Sequence, residues 1–146
     1  MIDTPRRAMC VWLGGAAFPF AVRSAEAPVA ADDARGLRSV IEAQLAAFQA
    51  DNAERAFSYA SPSIREMFGT AEHFLAMVRG SYPAVYRPKS VAFFVPEAVG
   101  GEVMQRVRLT DQAGAAWLAH YSMQRQPDRS WRINGCVVTR DAGRST

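Results

Sequence analysis

The sequence predicts an α+β domain in which N-terminal short helices pack on one face of a four-stranded antiparallel meander. Three observations carry that expectation. Residues 37–77 show apolar positions at three- and four-residue spacing, broken by capping and stop residues. From Ser90 onward the apolar positions alternate with a period of two. Turn residues separate the alternating runs at intervals that suit hairpins, so consecutive strands pair with one another.

In the first helix, Leu37, Val40, Ile41, Leu45 and Phe48 form one apolar face, and Arg38, Glu42 and Gln49 fall opposite. Asp32 or Asp33 can cap its start. Asp51-Asn52 interrupts the run, and Asn52 can cap a second helix holding Ala53, Ala56, Phe57 and Ala60. Ser61-Pro62 is a further start signal: a Ser cap, then Pro at the first helical position, where a missing N–H costs nothing. That third helix carries Ile64, Met67 and Phe68, and Gly69 ends it. Thr70 caps a fourth helix with Phe74, Met77 and Val78 inward, closed by Gly80. None of these helices is long enough to be stable alone, so each needs an apolar surface beneath it.

Ser81-Tyr82-Pro83 and Arg87-Pro88 mark a stiff extended connection to the strands. The expected strands are Ser90 to Val95, Val103 to Thr110, Ala116 to Arg125 and Trp131 to Thr139, with Gly100-Gly101 as the turn after the first. A three-residue loop ending on Gly114 in the left-handed region pairs Leu109 with Trp117, Val107 with Ala119, Gln105 with Tyr121 and Val103 with Met123. A one-residue slip would turn every side chain over and put Arg106 and Arg108 on the Trp117 face, so the hydrophobic pattern selects this register. The same reasoning at Pro127-Asp128-Arg129 pairs Arg125 with Trp131, Met123 with Ile133, Tyr121 with Gly135 and Ala119 with Val137. Arg129 then occupies a left-handed position that favours Gly, at a cost of about 1 kcal/mol. The expected inner face is Val103, Val107, Leu109, Trp117, Ala119, Tyr121, Met123, Trp131, Ile133 and Val137. The expected outer face holds Arg106, Arg108, His120, Ser122, Gln124, Arg132, Asn134 and Cys136.

At 146 residues and 49% apolar content, the chain has the size and composition of one globular domain. Residues 1–27 read as a secretory signal: Arg6-Arg7 form a positive start, and Ala8 to Val22 an apolar core too short and too Gly/Pro-broken to span a bilayer with ease. Cleavage fits either before Ala25 or after Ala27. Thr4-Pro5-Arg6-Arg7 bears a faint likeness to a twin-arginine signal, but the general secretory route is expected. A retained N-terminal membrane anchor is the alternative. Residues 28–31 form a linker, 32–140 the domain and 141–146 a tail, in a periplasmic or secreted protein. Of the formal charge of +3, the first 24 residues contribute three Arg and one Asp, leaving 14 basic and 13 acidic residues. With the remaining Arg scattered, nucleic acid is not an expected partner, nor is a membrane beyond the signal segment.

Several runs support a family resemblance. Val40-Ile41-Glu42-Ala43-Gln44-Leu45-Ala46-Ala47-Phe48 and Ala53-Glu54-Arg55-Ala56-Phe57-Ser58-Tyr59-Ala60-Ser61-Pro62 resemble a family of exported bacterial proteins classed as domain of unknown function 4864. Tyr86-Arg87-Pro88 and Trp131-Arg132-Ile133-Asn134-Gly135-Cys136 look like the same family. The likeness covers roughly residues 37–138. It implies the nuclear-transport-factor-2-like (cystatin-like) superfold, a cone of curved sheet and helices around a pocket. That superfold hosts isomerases, dehydratases, polyketide cyclases and many non-catalytic binding or dimerisation modules, so it does not choose a function. Its enzymes place an Asp, His or Tyr inside the cone; no residue here matches such a motif, and no catalytic residue is carried over.

Two side-chain groups merit attention. Tyr59, Tyr86, Gln105, Trp117, Tyr121 and Trp131 can line a pocket between helices and sheet, its aromatic walls and few polar tips suiting a small hydrophobic ligand. The competing reading is an ordinary core. Arg106, His120 and Cys136 align in a row across three strands, where Arg106 and an imidazole would favour a thiolate. The competing reading is an inert outer face, since a flat surface holds no substrate. His73 reads as a surface residue and Asp111 as a turn residue. With Cys10 lost in the signal, two His and one Cys make no metal-ligand set, and no cofactor is expected. The expected function is non-catalytic binding of a small hydrophobic ligand or a protein partner. The alternatives are a homodimer formed through Phe94, Met104 and Leu118 on the outer face, and a cofactor-free isomerase, cyclase or dehydratase with Tyr121 as its candidate group.

Overall fold

The computed structural model describes residues 10–11 and 28–141. The leader assigned to residues 1–27 lies outside them apart from Cys10 and Val11, as does the tail after Asp141. Along the chain run β1 (Cys10–Val11), α1 (Ala31–Gln49), α2 (Ala53–Ser58), α3 (Pro62–Phe68), α4 (Ala71–Ser81), α5 (Pro83–Tyr86), β2 (Ser90–Phe93), β3 (Glu97–Val99), β4 (Glu102–Thr110), β5 (Ala116–Arg125) and β6 (Trp131–Arg140). The fold is α+β, with the helices packed against one face of an antiparallel sheet.

The caps explain where the helices begin. The side chains of Asn52, Ser61 and Thr70 accept from the backbone N–H groups of Arg55, Ile64 and His73 at 3.1, 3.3 and 3.1 Å. Each relieves one unpaired donor of a first turn. The first helix departs from expectation. It starts after Ala30 with no side-chain cap, and Asp32 and Asp33 lie inside its first turn. There they oppose the positive end of the helix dipole, and Asp33 pairs with Arg125 at the far end of β5. The fourth helix runs past Gly80 to Ser81, and Pro83 opens α5 where an extended link was expected.

Phe74 organises the helical layer. Its ring lies 5.8 Å from Phe48 and 5.4 Å from both Phe57 and Phe68, so one side chain joins α1, α2, α3 and α4. Beneath this layer the strand order is β1-β6-β5-β4-β2, with β3 also on β4. Gly100 and Gly101, at φ 52° and 87°, make the two-residue turn from β3 to β4. Gly114, at φ 90°, closes the next hairpin, and β4 and β5 pair as the turn predicts: Leu109 with Trp117, Gln105 with Tyr121, Val103 with Met123.

The β5–β6 hairpin follows its predicted register only at first. Arg125 faces Trp131 and Met123 faces Ile133, but Ser122 then faces Gly135. Asn134 is the extra residue of a β-bulge. Beyond it every pair is displaced by one: Tyr121 faces Cys136, His120 faces Val137 and Ala119 faces Val138. Cys136 and Val138 therefore point to the helices and are buried, while Val137 joins the outer face. Trp117 and Trp131 keep to the helix side. A Cβ on Gly36 of α1 would come within 3.2 Å of the Trp131 ring, which gives that helical glycine a packing role.

Candidate functional site

The bulge has a local cause. Asn134 Oδ1 accepts from the Ser61 hydroxyl at 2.7 Å, and Asn134 Nδ2 donates to Glu102 at 3.0 Å. Ser61 Oγ also caps α3. One amide thus joins a helix start to the first residue of β4, a connection that the side chain makes from the bulge position. The backbone repeats the tie: Ser61 N donates to Ile133 O at 2.8 Å and Ile133 N to Tyr59 O at 2.9 Å.

Of the six candidate pocket residues, Gln105, Tyr121 and Trp131 are buried, and Tyr59, Tyr86 and Trp117 are half-buried. The polar tips of the latter three are engaged by exposed or half-buried partners. Tyr59 Oη accepts from Arg55, Tyr86 donates to Asp51, and the Trp117 indole donates to Asp111 at 2.8 Å. Gln105 Nε2 bonds the carbonyls of Phe94 and Arg106 at 2.6 and 2.9 Å, bridging the break between β2 and β3. Its amide is structural.

Tyr121 stands apart. It is fully buried, and its hydroxyl has no hydrogen-bond partner among the described residues. Burial, and secondarily Cys136, pushes the phenol well above its ordinary range, so it stays neutral. A further atom of this kind is Gln44 Oε1, on the buried side of α1, whose Nε2 donates to Ala56 O at 3.0 Å. Sequence reasoning passed over Gln44. Its signal was position: a polar residue between Ile41 and Phe48 on the apolar stripe. Two unpartnered polar atoms in an apolar layer are costly, about 1–3 kcal/mol each.

The proposed row of Arg106, His120 and Cys136 is divided. Arg106 and His120 remain paired on the outer face, but the bulge carries Cys136 to the inner one, 1% exposed and outside any disulfide. The row on the outer face is Phe94, Arg106, His120 and Val137. The Arg106 guanidinium lies 4.8 Å from the Phe94 ring centroid. Burial, and then Arg106, hold the His120 pKa below its ordinary value. Among the described residues no three potential ligand side chains gather for a metal, and no helix is long and apolar enough to cross a membrane.

These features define a small α+β domain with a helix-covered sheet and, among the described residues, two orphaned polar atoms in its core. Over residues 30–146 the chain matches a family described as a domain of unknown function (DUF4864), and it belongs to that family. No curated protein and no solved structure matches it.

Proposed function

We propose that this is an exported, non-catalytic domain of the nuclear-transport-factor-2-like kind that binds a small, largely apolar molecule between helices and sheet. The ligand carries a hydroxyl or a similar donor–acceptor group. The observation that carries this reading is the pair of fully buried, unpartnered atoms, Tyr121 Oη and Gln44 Oε1. A phenol can donate or accept, and an amide oxygen accepts, so a ligand hydroxyl satisfies either. The apolar walls supply affinity and the polar atoms orientation. Export is supported by the charged start and apolar run ahead of residue 30, where the family domain begins. The non-catalytic reading is supported by the surroundings of Tyr121, where the facing titratable group on the neighbouring strand is the buried Cys136 thiol.

Naphthol and naphthalene, followed by fluorescence, test this directly. Naphthol is expected to bind several-fold tighter, and Tyr121→Phe to remove most of the difference, since one hydrogen bond contributes about 1 kcal/mol. No binding of either probe, or an unchanged preference in the variant, sinks the reading.

A further inference from the structure

The free side of β6 is shared between two segments. At Ile133 it takes the backbone of Tyr59 and Ser61. At Val137 and Val138 it pairs antiparallel with Val11 and Cys10 of β1. The family domain begins at residue 30, and among the described residues the core cluster runs from Val29 to Val138.

We propose that β1 guards this edge. While attached it covers the C-terminal half of β6; once it is removed, Gly135–Arg140 pairs with the same strand of a second copy and the two sheets become one. The release step rests on the reading of residues 1–27 as a removable leader. Three observations favour a second copy as the occupant. Antiparallel is the direction that β1 already takes, and two identical strands related by a two-fold axis pair that way. The strap at Ile133 confines the open stretch, which places the axis near Val137 or Val138. In those registers Arg140 lies opposite Asn134 or Cys136, never opposite Arg132 or its own twin. At the centre of the stretch, Val137-Val138-Thr139 is β-branched and holds no Pro and no charge. The opposite edge differs, since Pro88, Lys89 and Pro96 flank β2.

The test compares the full chain with one starting at Pro28, by sedimentation and by hydrogen exchange across residues 134–141. The full chain is expected to stay monomeric. The shortened chain should double in mass as concentration rises, with those amides protected in the dimer and exchanging faster on dilution. Val137→Lys should return it to monomer with its urea midpoint kept. Leu118→Glu, on the outer face but away from the edge, should leave association intact. A shortened chain that stays monomeric, a full chain that dimerises equally, or a dimer broken by Leu118→Glu but not by Val137→Lys overturns the proposal. Mass spectrometry of the exported chain judges the leader separately: residues 1–24 still attached would end the release step, whatever the edge does in vitro.

Discussion

Tyr121 and Cys136 face each other across β5 and β6 on the side of the sheet that meets the helices. A straight hairpin would have put Gly135 opposite Tyr121 and sent the thiol to the other face. The single extra residue, Asn134, decides which chemistry the core contains and which the surface contains. It moves the thiol away from Arg106 and His120, where it could have been activated, and seals it beside a neutral phenol.

The first consequence is an inert thiol. In a chain starting at Pro28, Cys136 is the one cysteine; in the structure of the full chain it is 1% exposed and points to the helices. A colorimetric disulfide reagent should not react with the native protein on the timescale of its reaction with the urea-unfolded chain. Burial shuts the reagent out. Native reaction at the unfolded rate would place Cys136 back on the surface.

The bulge itself can be tested. Asn134→Ala removes the partner of both Ser61 and Glu102 and should lower stability by about 1–2 kcal/mol in urea unfolding. Deleting Asn134 removes only the extra residue: Gly135 still faces Ser122, Cys136 still faces Tyr121 and Val138 still faces Ala119, so the inner face keeps its side chains. The deletion variant should therefore unfold cooperatively, with a loss close to that of Asn134→Ala. A Cys136 thiol that becomes reactive in the native deletion variant would show that the register beyond the bulge had slipped instead.

Asn134 and Gly114 also show what the sequence could and could not disclose. The β4–β5 hairpin was legible because Gly114 fixed the loop and a slip would have buried Arg106 and Arg108. The β5–β6 hairpin was ambiguous, since both registers of β6 offer an apolar inner set: Ile133 and Val137 in one, Ile133, Cys136 and Val138 in the other. The run Gly135, Cys136, Val137, Val138 carries no charge to break the tie. What breaks it is a contact between Asn134 and Ser61, 73 residues apart. The helix caps were readable because Asn52, Ser61 and Thr70 act within three residues of themselves. Gln44 was legible only in part: its place between Ile41 and Phe48 marks it as buried, but its partner, the Ala56 carbonyl, lies on another helix.

His120 gives the outer face a pH dependence. Burial, then Arg106 on the neighbouring strand, lowers its pKa in the folded state, so the unfolded chain binds the proton more readily. On its β6 side it faces the uncharged Val137. Its contribution to stability is therefore full above the unfolded value of about 6.5, and is lost as pH falls through that value toward the lower folded one. Urea midpoints near pH 7.5 and near pH 5 should fall less in His120→Gln than in wild type, by roughly the contribution of one titrating group. Equal falls in both proteins would show that His120 titrates alike in the folded and unfolded states.

Two non-glycine residues among those described hold positive φ, and they answer differently to the same substitution. Arg129, at φ 76°, closes the β5–β6 turn, and its backbone N–H donates to Gln126 O at 2.8 Å. Any residue serves that bond, while a Cβ in the left-handed region costs about 1–2 kcal/mol. Arg129→Gly removes that strain and loosens the unfolded chain by about 0.5–1 kcal/mol, so stability should rise slightly, by up to about 1 kcal/mol. Asp51, at φ 54°, ends α1 in the same region, but its carboxylate accepts from Tyr86 and from Arg87 at 3.0 Å. The Tyr86 hydrogen bond, then Arg87, lowers its pKa against the opposing effect of burial. Arg87 also donates to Gln49 O, so this corner fastens the end of α1 to the start of the sheet. Asp51→Gly relieves the backbone but unfastens the corner, and should lower the urea midpoint. Asp51→Asn, which tolerates the left-handed region, should fall between glycine and wild type at neutral pH. Opposite signs for the two glycine variants would separate strain that merely closes a turn from strain that holds a tertiary contact; a gain in both would show that the Tyr86–Asp51–Arg87 corner contributes nothing to the fold.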